Sequence, residues 1–316
     1  MTTYWIRSEE FTISHEKPEG TCYRPLTIST GMCIVVDRRV RGKELSSPRE
    51  VQYPLPVLKS NLQKAIRRKK QEHALSTADY MISQYSVEFV RRLSVIMVED
   101  TQIHTRYLSE IVWLMVAMSR GYILTEFDRT VLLESVQACL TSSYRYNLKV
   151  GSSRRHQPND SVSLALYLRS IFGGMEGDIM FMERIRNRYQ EGTISVCSHT
   201  VELPAIDEFV LRTHLLPESV DFHCYPNLLE NVPRLTKEAV WWCLSSVNTR
   251  EVIDEGATQK NDLDNYQRSM HRFEMKEHQA RWNKEVQKMI LSLVEEPREV
   301  VKEEKKQTTL DKWVKK

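Results

Sequence analysis

The chain has 316 residues, 41% of them apolar and 28% charged, with 45 Lys and Arg against 42 Asp and Glu for a formal charge of +3. This composition excludes a wholly disordered chain and suffices for one large core or two medium ones. The 10 glycines are about 3% of residues against an average near 7%. That argues against glycine-rich phosphate loops, turn-dense β-sandwiches and collagen-like repeats, and predicts a mainly helical chain.

Residues 1–50 read as a small β/loop lead-in. The short runs Tyr4-Trp5-Ile6, Phe11-Thr12-Ile13 and Met32-Cys33-Ile34-Val35-Val36 alternate with Pro18, Gly20, Pro25 and Gly31, the pattern of a hairpin or two. Residues 51–150 switch to a helical period. Leu58, Leu62, Ala65 and Ile66 share one face of a first helix, and Ala74, Ala78, Met81 and Ile82 share one face of a second. Phe89, Leu93, Ile96 and Met97 mark a third, 108–118 a strongly apolar fourth, and 131–140 a fifth. Recurrence of this kind over successive short segments predicts a multi-helix bundle. The polar, turn-rich stretch 149–160 separates a second mainly helical region, 151–296, with helices expected over 162–172, 178–189, 236–247 and 262–294. Residues 191–204 read as strand or loop. After Pro297 the composition collapses to Glu and Lys, so 297–306 reads as a disordered or weakly helical tether within a flexible tail over 297–316.

No window is long and apolar enough for a membrane span, and the first residues lack the basic and apolar regions of a signal peptide. The six cysteines, at 22, 33, 139, 197, 224 and 243, contain no Cys-x-x-Cys pair. That usage predicts reduced thiols in an intracellular compartment.

The tail ends in Gln307-Thr308-Thr309-Leu310-Asp311-Lys312-Trp313-Val314. This resembles the PIP box by which replication proteins dock on a sliding clamp of the PCNA type: Gln, two spacers, an aliphatic residue, two spacers, two aromatics. A single 3₁₀ turn places positions i and i+3 on one side. Leu310 and Trp313 would then fill one apolar pocket while the Gln307 amide makes a polar contact beside it. Val314 departs from the pattern, standing where the family has a second aromatic.

A second resemblance covers about 57–120. Leu62-Gln63-Lys64-Ala65-Ile66-Arg67-Arg68, then His73-Ala74-Leu75, then Phe89-Val90-Arg91-Arg92-Leu93 through Glu99-Asp100 is similar to the helical collar that follows the ATPase module in MgsA/WRNIP clamp-loader-like AAA+ proteins. The resemblance implies self-association, or docking to another replication protein. The ATPase module itself has no counterpart. Gly42-Lys43 is followed by Glu44 and has Asp37 where the first Walker A glycine belongs.

Between Arg38 and Lys70 stand eleven Lys and Arg against Glu44 and Glu50. Arg67, Arg68, Lys69 and Lys70 end the first helix and Arg91 and Arg92 open the third. Such clusters suit phosphate contacts with DNA, and equally suit cations that offset a helix C-terminal dipole. Cys197, His199, His214, His223 and Cys224 are of ligand type, but no Cys-x₂-Cys or His-x₃-His pair is present, so no metal or cofactor is assigned. Asp221 beside His223 could orient a general base, although a turn-capping Asp explains it as well. Glu176, Asp178, Glu183, Asp207 and Glu208 invite comparison with a two-metal nuclease. Glu274-Met275-Lys276 has the Glu-x-Lys spelling of such enzymes but falls in a helical pattern.

These features point to a non-catalytic accessory protein of DNA replication or repair. Gln307, Leu310, Trp313 and Val314 would bind a sliding clamp, and Arg67, Arg68, Lys69, Lys70, Arg91 and Arg92 would contact DNA. The body would be helical and homo-oligomeric, located in the nucleus or wherever DNA replicates, without membrane contact. A clamp-recruited, metal-dependent nuclease or other DNA-processing enzyme is the alternative.

Overall fold

The structure, a computed structural model, describes residues 2–8, 10–39, 42–45, 53–142, 157–173, 176–204, 215, 216 and 219. They fall into two compact units, one from 2–45 and 86–203, the other from 53–85 with 204, 215, 216 and 219. The protein is mainly α, with a strand segment at its N-terminal end and seven helices among the described residues. The helices expected over 236–247 and 262–294 and the terminal peptide lie outside those residues.

In the first unit, β1 (Thr2–Arg7), β2 (Phe11–Ile13), β3 (Thr21–Cys22), β4 (Leu26–Ile28) and β5 (Gly31–Asp37) form one sheet. The expected hairpins are present: β2 lies antiparallel to β1 and β4 antiparallel to β5. The sheet is joined, however, by a parallel pairing of β1 with β5, with Tyr4 opposite Cys33 and Ile6 opposite Val35. Non-local pairing of that kind leaves no local turn signature. It also makes Gly31 obligatory. Gly31 has φ +155, and a Cβ there would sit 1.9 Å from the Thr2 carbonyl oxygen.

Among the described residues five helices join this sheet: α3 (Ser86–Asp100), α4 (Thr105–Met118), α5 (Glu126–Thr141), α6 (Ser161–Ile171) and α7 (Glu176–Gln190). Helix α4 is buried around its whole circumference from Tyr107 to Ala117, and Leu108, Ile111, Val112, Trp113 and Leu114 are fully buried. A predominantly apolar helix is covered on all sides, and α4 touches α3, α5, α6 and β5. The Trp113 indole N–H donates to the Ile6 carbonyl at 3.0 Å, tying the central helix to a central strand. Helices α5 and α6 begin with reciprocal capping boxes, Thr125 with Asp128 and Asp160 with Ser163.

Asp128 does more than cap. Its side chain is fully buried and receives Arg39 Nη1 at 2.6 Å, the Tyr122 hydroxyl at 2.7 Å, and both the Thr125 hydroxyl and amide at 2.8 Å. Arg39 also donates to Tyr122 Oη at 2.9 Å, and its guanidinium lies 4.3 Å from the Trp113 ring centroid. Burial, and then the bond to Asp128, push the Tyr122 pKa far above its ordinary value, so the phenol stays a donor. For Arg39 burial works against the charge, but Asp128 outweighs it and the pKa rises.

The second unit is built on α1 (Leu55–Arg67) and α2 (Gln71–Gln84). Leu58, Leu62, Ala65 and Ile66 of α1 and Ala74, Ala78, Met81 and Ile82 of α2 are all buried, the faces expected from their spacing. Asn61 is a polar anchor within this interface. Its amide donates to Thr77 Oγ1 at 2.6 Å and its oxygen accepts from the Leu216 amide at 2.8 Å and the Ser219 hydroxyl at 2.6 Å.

Two substitutions test this account. Gly31→Ala is expected to lower unfolding free energy by about 1–3 kcal/mol through overpacking and backbone strain. Asp128→Ala leaves the half-buried Arg39 without its main partner, and breaking a buried pair costs about 3–5 kcal/mol. Because Asp37 still lies 3.3 Å from Arg39, the lower end is expected. Chemical denaturation measures both.

Candidate functional site

The basic end of α1 is closed by a Schellman-type turn: the Lys69 amide donates to the Ile66 carbonyl at 3.1 Å and the Lys70 amide to the Ala65 carbonyl at 2.8 Å. That turn needs a left-handed residue, usually glycine, and here it is Lys69 with φ 56. The expected DNA contacts are therefore not equivalent. Arg67 is buried, 5% exposed, whereas Arg68 and Lys69 are half-buried and Lys70 is exposed.

Arg91 and Arg92 are half-buried in α3. Arg91 faces Glu88 at 3.9 Å and donates to the Phe172 carbonyl at 3.4 Å. A third arginine, not anticipated from the sequence, joins them. Arg169 is 3% exposed and donates to the Ser94 hydroxyl at 2.8 Å, the Gly173 carbonyl at 2.7 Å and the Arg91 carbonyl at 3.1 Å. Burial first, then the charge on Arg91, lower its pKa to about 10. Its partners are neutral oxygens, so this is a structural staple for the α6 end that concentrates positive charge.

The most chemically specific group is His104, Cys197 and His199. Residues 196–201 run beside the start of α4, where the Cys197 amide donates to the Ile103 carbonyl and the Thr105 amide to the Cys197 carbonyl, both at 2.9 Å. This isolated parallel bridge is the only pairing described for 191–204. On an extended backbone, residues two apart face the same side, so Cys197 and His199 both turn toward His104. One ring nitrogen of each histidine and Cys197 Sγ lie within 4.8 Å of one another. His104 is buried, Cys197 half-buried and His199 exposed. The His104 Nε2 is 2.6 Å from the His199 carbonyl oxygen, and the two rings meet edge-on with centroids 5.2 Å apart. A carbonyl only accepts, so Nε2 carries the hydrogen. Nδ1 is then a bare lone pair, buried and without a hydrogen-bond partner. Burial holds the His104 pKa below its ordinary value, although the His199 carbonyl opposes this. Burial also raises that of Cys197, whose thiol lies 3.5 Å from the Ile103 carbonyl. Tyr107 stacks on His104 at 4.5 Å and donates its hydroxyl to Glu134 at 3.2 Å.

The sequence singled out Cys197 and His199 but not His104, which is remote along the chain and has no local spacing to betray it. His214, His223 and Cys224 lie outside the described residues, as do Asp207, Asp221, Glu208, Glu274, Lys276, Gln307, Leu310, Trp313 and Val314. Glu176, Asp178 and Glu183 all belong to α7. Among the described residues, the His104 group is the one set of three or more metal-ligating side chains that converges. Compared with family models, with characterised proteins and with solved structures, the chain matches none.

The uneven burial of the basic run gives a prediction. Lys70→Ala is expected to change stability by less than about 0.5 kcal/mol, whereas Arg67→Ala, which empties a buried position, costs about 1–3 kcal/mol. Lys69→Gly is expected to stabilise by up to about 1 kcal/mol by relieving left-handed strain. Thermal and urea unfolding of the three variants separate these outcomes.

Proposed function

We propose that the protein is a non-catalytic accessory factor of DNA replication or repair, held on a sliding clamp by Gln307, Leu310 and Trp313 and making phosphate contacts through a basic helix end. The observation that carries this reading is the spacing Gln307-x-x-Leu310-x-x-Trp313 in a segment where almost every other residue is polar or charged. A Leu and a Trp held three apart form a compact apolar anchor once a 3₁₀ turn closes, and an aromatic anchor of that kind concentrates binding energy. Lys305, Lys306, Lys312, Lys315 and Lys316 surround it and favour approach to an acidic partner surface.

Two features support the DNA side. Lys70 is exposed at the end of α1, and Arg68 and Lys69 precede it in a turn that costs conformational energy to maintain with a lysine. Arg91 and Arg92, half-buried on α3, form a second concentration of charge beside the buried Arg169. The collar-like spacing of 57–120 suits an assembly role and brings no ATPase with it, since Gly42-Lys43-Glu44 lacks the Walker A pattern.

The full chain is expected to bind its host's sliding clamp in calorimetry or surface-based binding. Leu310→Ala with Trp313→Ala should weaken that binding about 30-fold or more, the roughly 2 kcal/mol that marks a hot spot. Val314→Phe should strengthen it. Absence of clamp binding by the full chain overturns the reading. For DNA, Lys70→Ala should weaken binding to duplexes of every sequence alike and reduce the salt slope by about one ion.

A further inference from the structure

We propose that His104, Cys197 and His199 form a binding site for a divalent metal ion of the zinc class. Three observations converge on it. The first is the donor set: two imidazoles and one thiol are borderline-soft ligands that suit zinc and its transition-metal neighbours, not magnesium or calcium, which take oxygen. They stand within 4.8 Å of one another. Ligands about 2.0–2.3 Å from a tetrahedral ion are separated by about 3.3–3.8 Å, so closing on an ion takes shifts of about 1 Å. His199, exposed on its segment, is free to make them.

The second is the state of His104. Its Nε2 hydrogen is committed to a backbone carbonyl, the usual way in which an outer hydrogen bond fixes the tautomer of a ligating histidine. This leaves Nδ1 buried with no hydrogen-bond partner. A buried, unpaired acceptor costs free energy, and a metal ion would satisfy it. The carbonyl that sets the tautomer belongs to His199, so one ligand's backbone orients another ligand's ring.

The third is the frame. Two backbone hydrogen bonds pin Cys197 across from His104, and His104 is the N-cap residue of α4, where its side chain makes no capping bond. A histidine at that position contributes nothing to the helix end that Ser, Thr or Asp would not do better. Arg106 places a positive charge near His104, which opposes a bare cation and is offset once Cys197 binds as an anionic thiolate. Three protein ligands leave the fourth tetrahedral position, among the described residues, to water or a further ligand, as in zinc sites that stay open to solvent. Clamp docking does not depend on this site, and the site does not depend on clamp docking.

The test uses the full chain, stripped with a chelator, reloaded with zinc alone and dialysed. Metal analysis by mass spectrometry counts zinc per chain, and substitution with cobalt reports thiolate ligation through its sulfur-to-metal charge-transfer band. Cys197→Ser and His199→Ala are each expected to bind one zinc fewer than the parent, or to hold it at least about 100-fold more weakly, beyond the loss that outer partners alone cause. Cys197→Ser should also lose intensity in the charge-transfer band. Because Cys197 is only half-buried and His199 exposed, both variants should keep the parent's circular dichroism; His104→Gln is the third arm. A parent that retains no zinc overturns the proposal. So does a folded Cys197→Ser or His199→Ala variant with the parent's zinc content, affinity and cobalt spectrum.

Discussion

A single buried carboxylate, that of Asp128, sets the conditions under which the first unit holds together. Arg39 follows the last strand of the sheet, Tyr122 and Thr125 lie in the α4–α5 turn, and all three meet at its two oxygens. An ion pair taken out of water costs several kcal/mol per ion unless every lone pair is used. Here four donors answer it: one oxygen takes the guanidinium and the other takes two hydroxyls and a main-chain amide. The cation is further covered by the Trp113 ring, whose own N–H reaches back to β1. Sheet, central helix and the start of α5 therefore share one electrostatic knot, and removing Asp128 takes a partner from Arg39, Tyr122 and Thr125 at once.

Much of this architecture was legible in the residues, for reasons that differ by element. The helices were readable because their apolar residues recur with a helical period. Leu58, Leu62 and Ile66 are buried for the same reason that they could be picked out. The strands were readable as β-branched runs, but their order was not. The β1–β5 pairing is parallel and leaves no turn signature, and the left-handed Gly31 that permits it looks like an ordinary turn glycine. The Arg39–Asp128 pair joins residues 89 apart, and Arg39 read as one more charge in a basic stretch. The same holds for the His104 group. Cys197-x-His199 is a weak pattern until the backbone bridge to Ile103 and Thr105 shows that the segment is extended and what it faces.

The charged residues sort themselves by burial into different kinds of work. Arg39 and Arg169 are held by oxygens inside the protein and act as internal fasteners. Lys70 is solvated and available to a partner, and Lys69 lies between these extremes. A net charge of +3 conceals this division, because it counts a fastener and a surface contact alike. In the proposed reading the body and the terminal peptide divide labour in a comparable way. Eight residues supply address, while the folded units supply surfaces and a cluster whose donors are fixed by main-chain bonds.

The bond from Trp113 to Ile6 spans 107 residues of sequence, and that distance governs the order in which the protein can assemble. During synthesis β1 and β5 emerge long before α4, yet the carbonyl of Ile6 and the guanidinium of Arg39 find their buried partners only when residues up to Asp128 have been made. Until then the sheet, whose strands all lie within residues 2–37, lacks the helix that packs against it, and contacts between remote residues are slow to form. This is the interval in which strand edges pair with the wrong chain. The nascent protein is thus most exposed to aggregation while about the first hundred residues are waiting for α4.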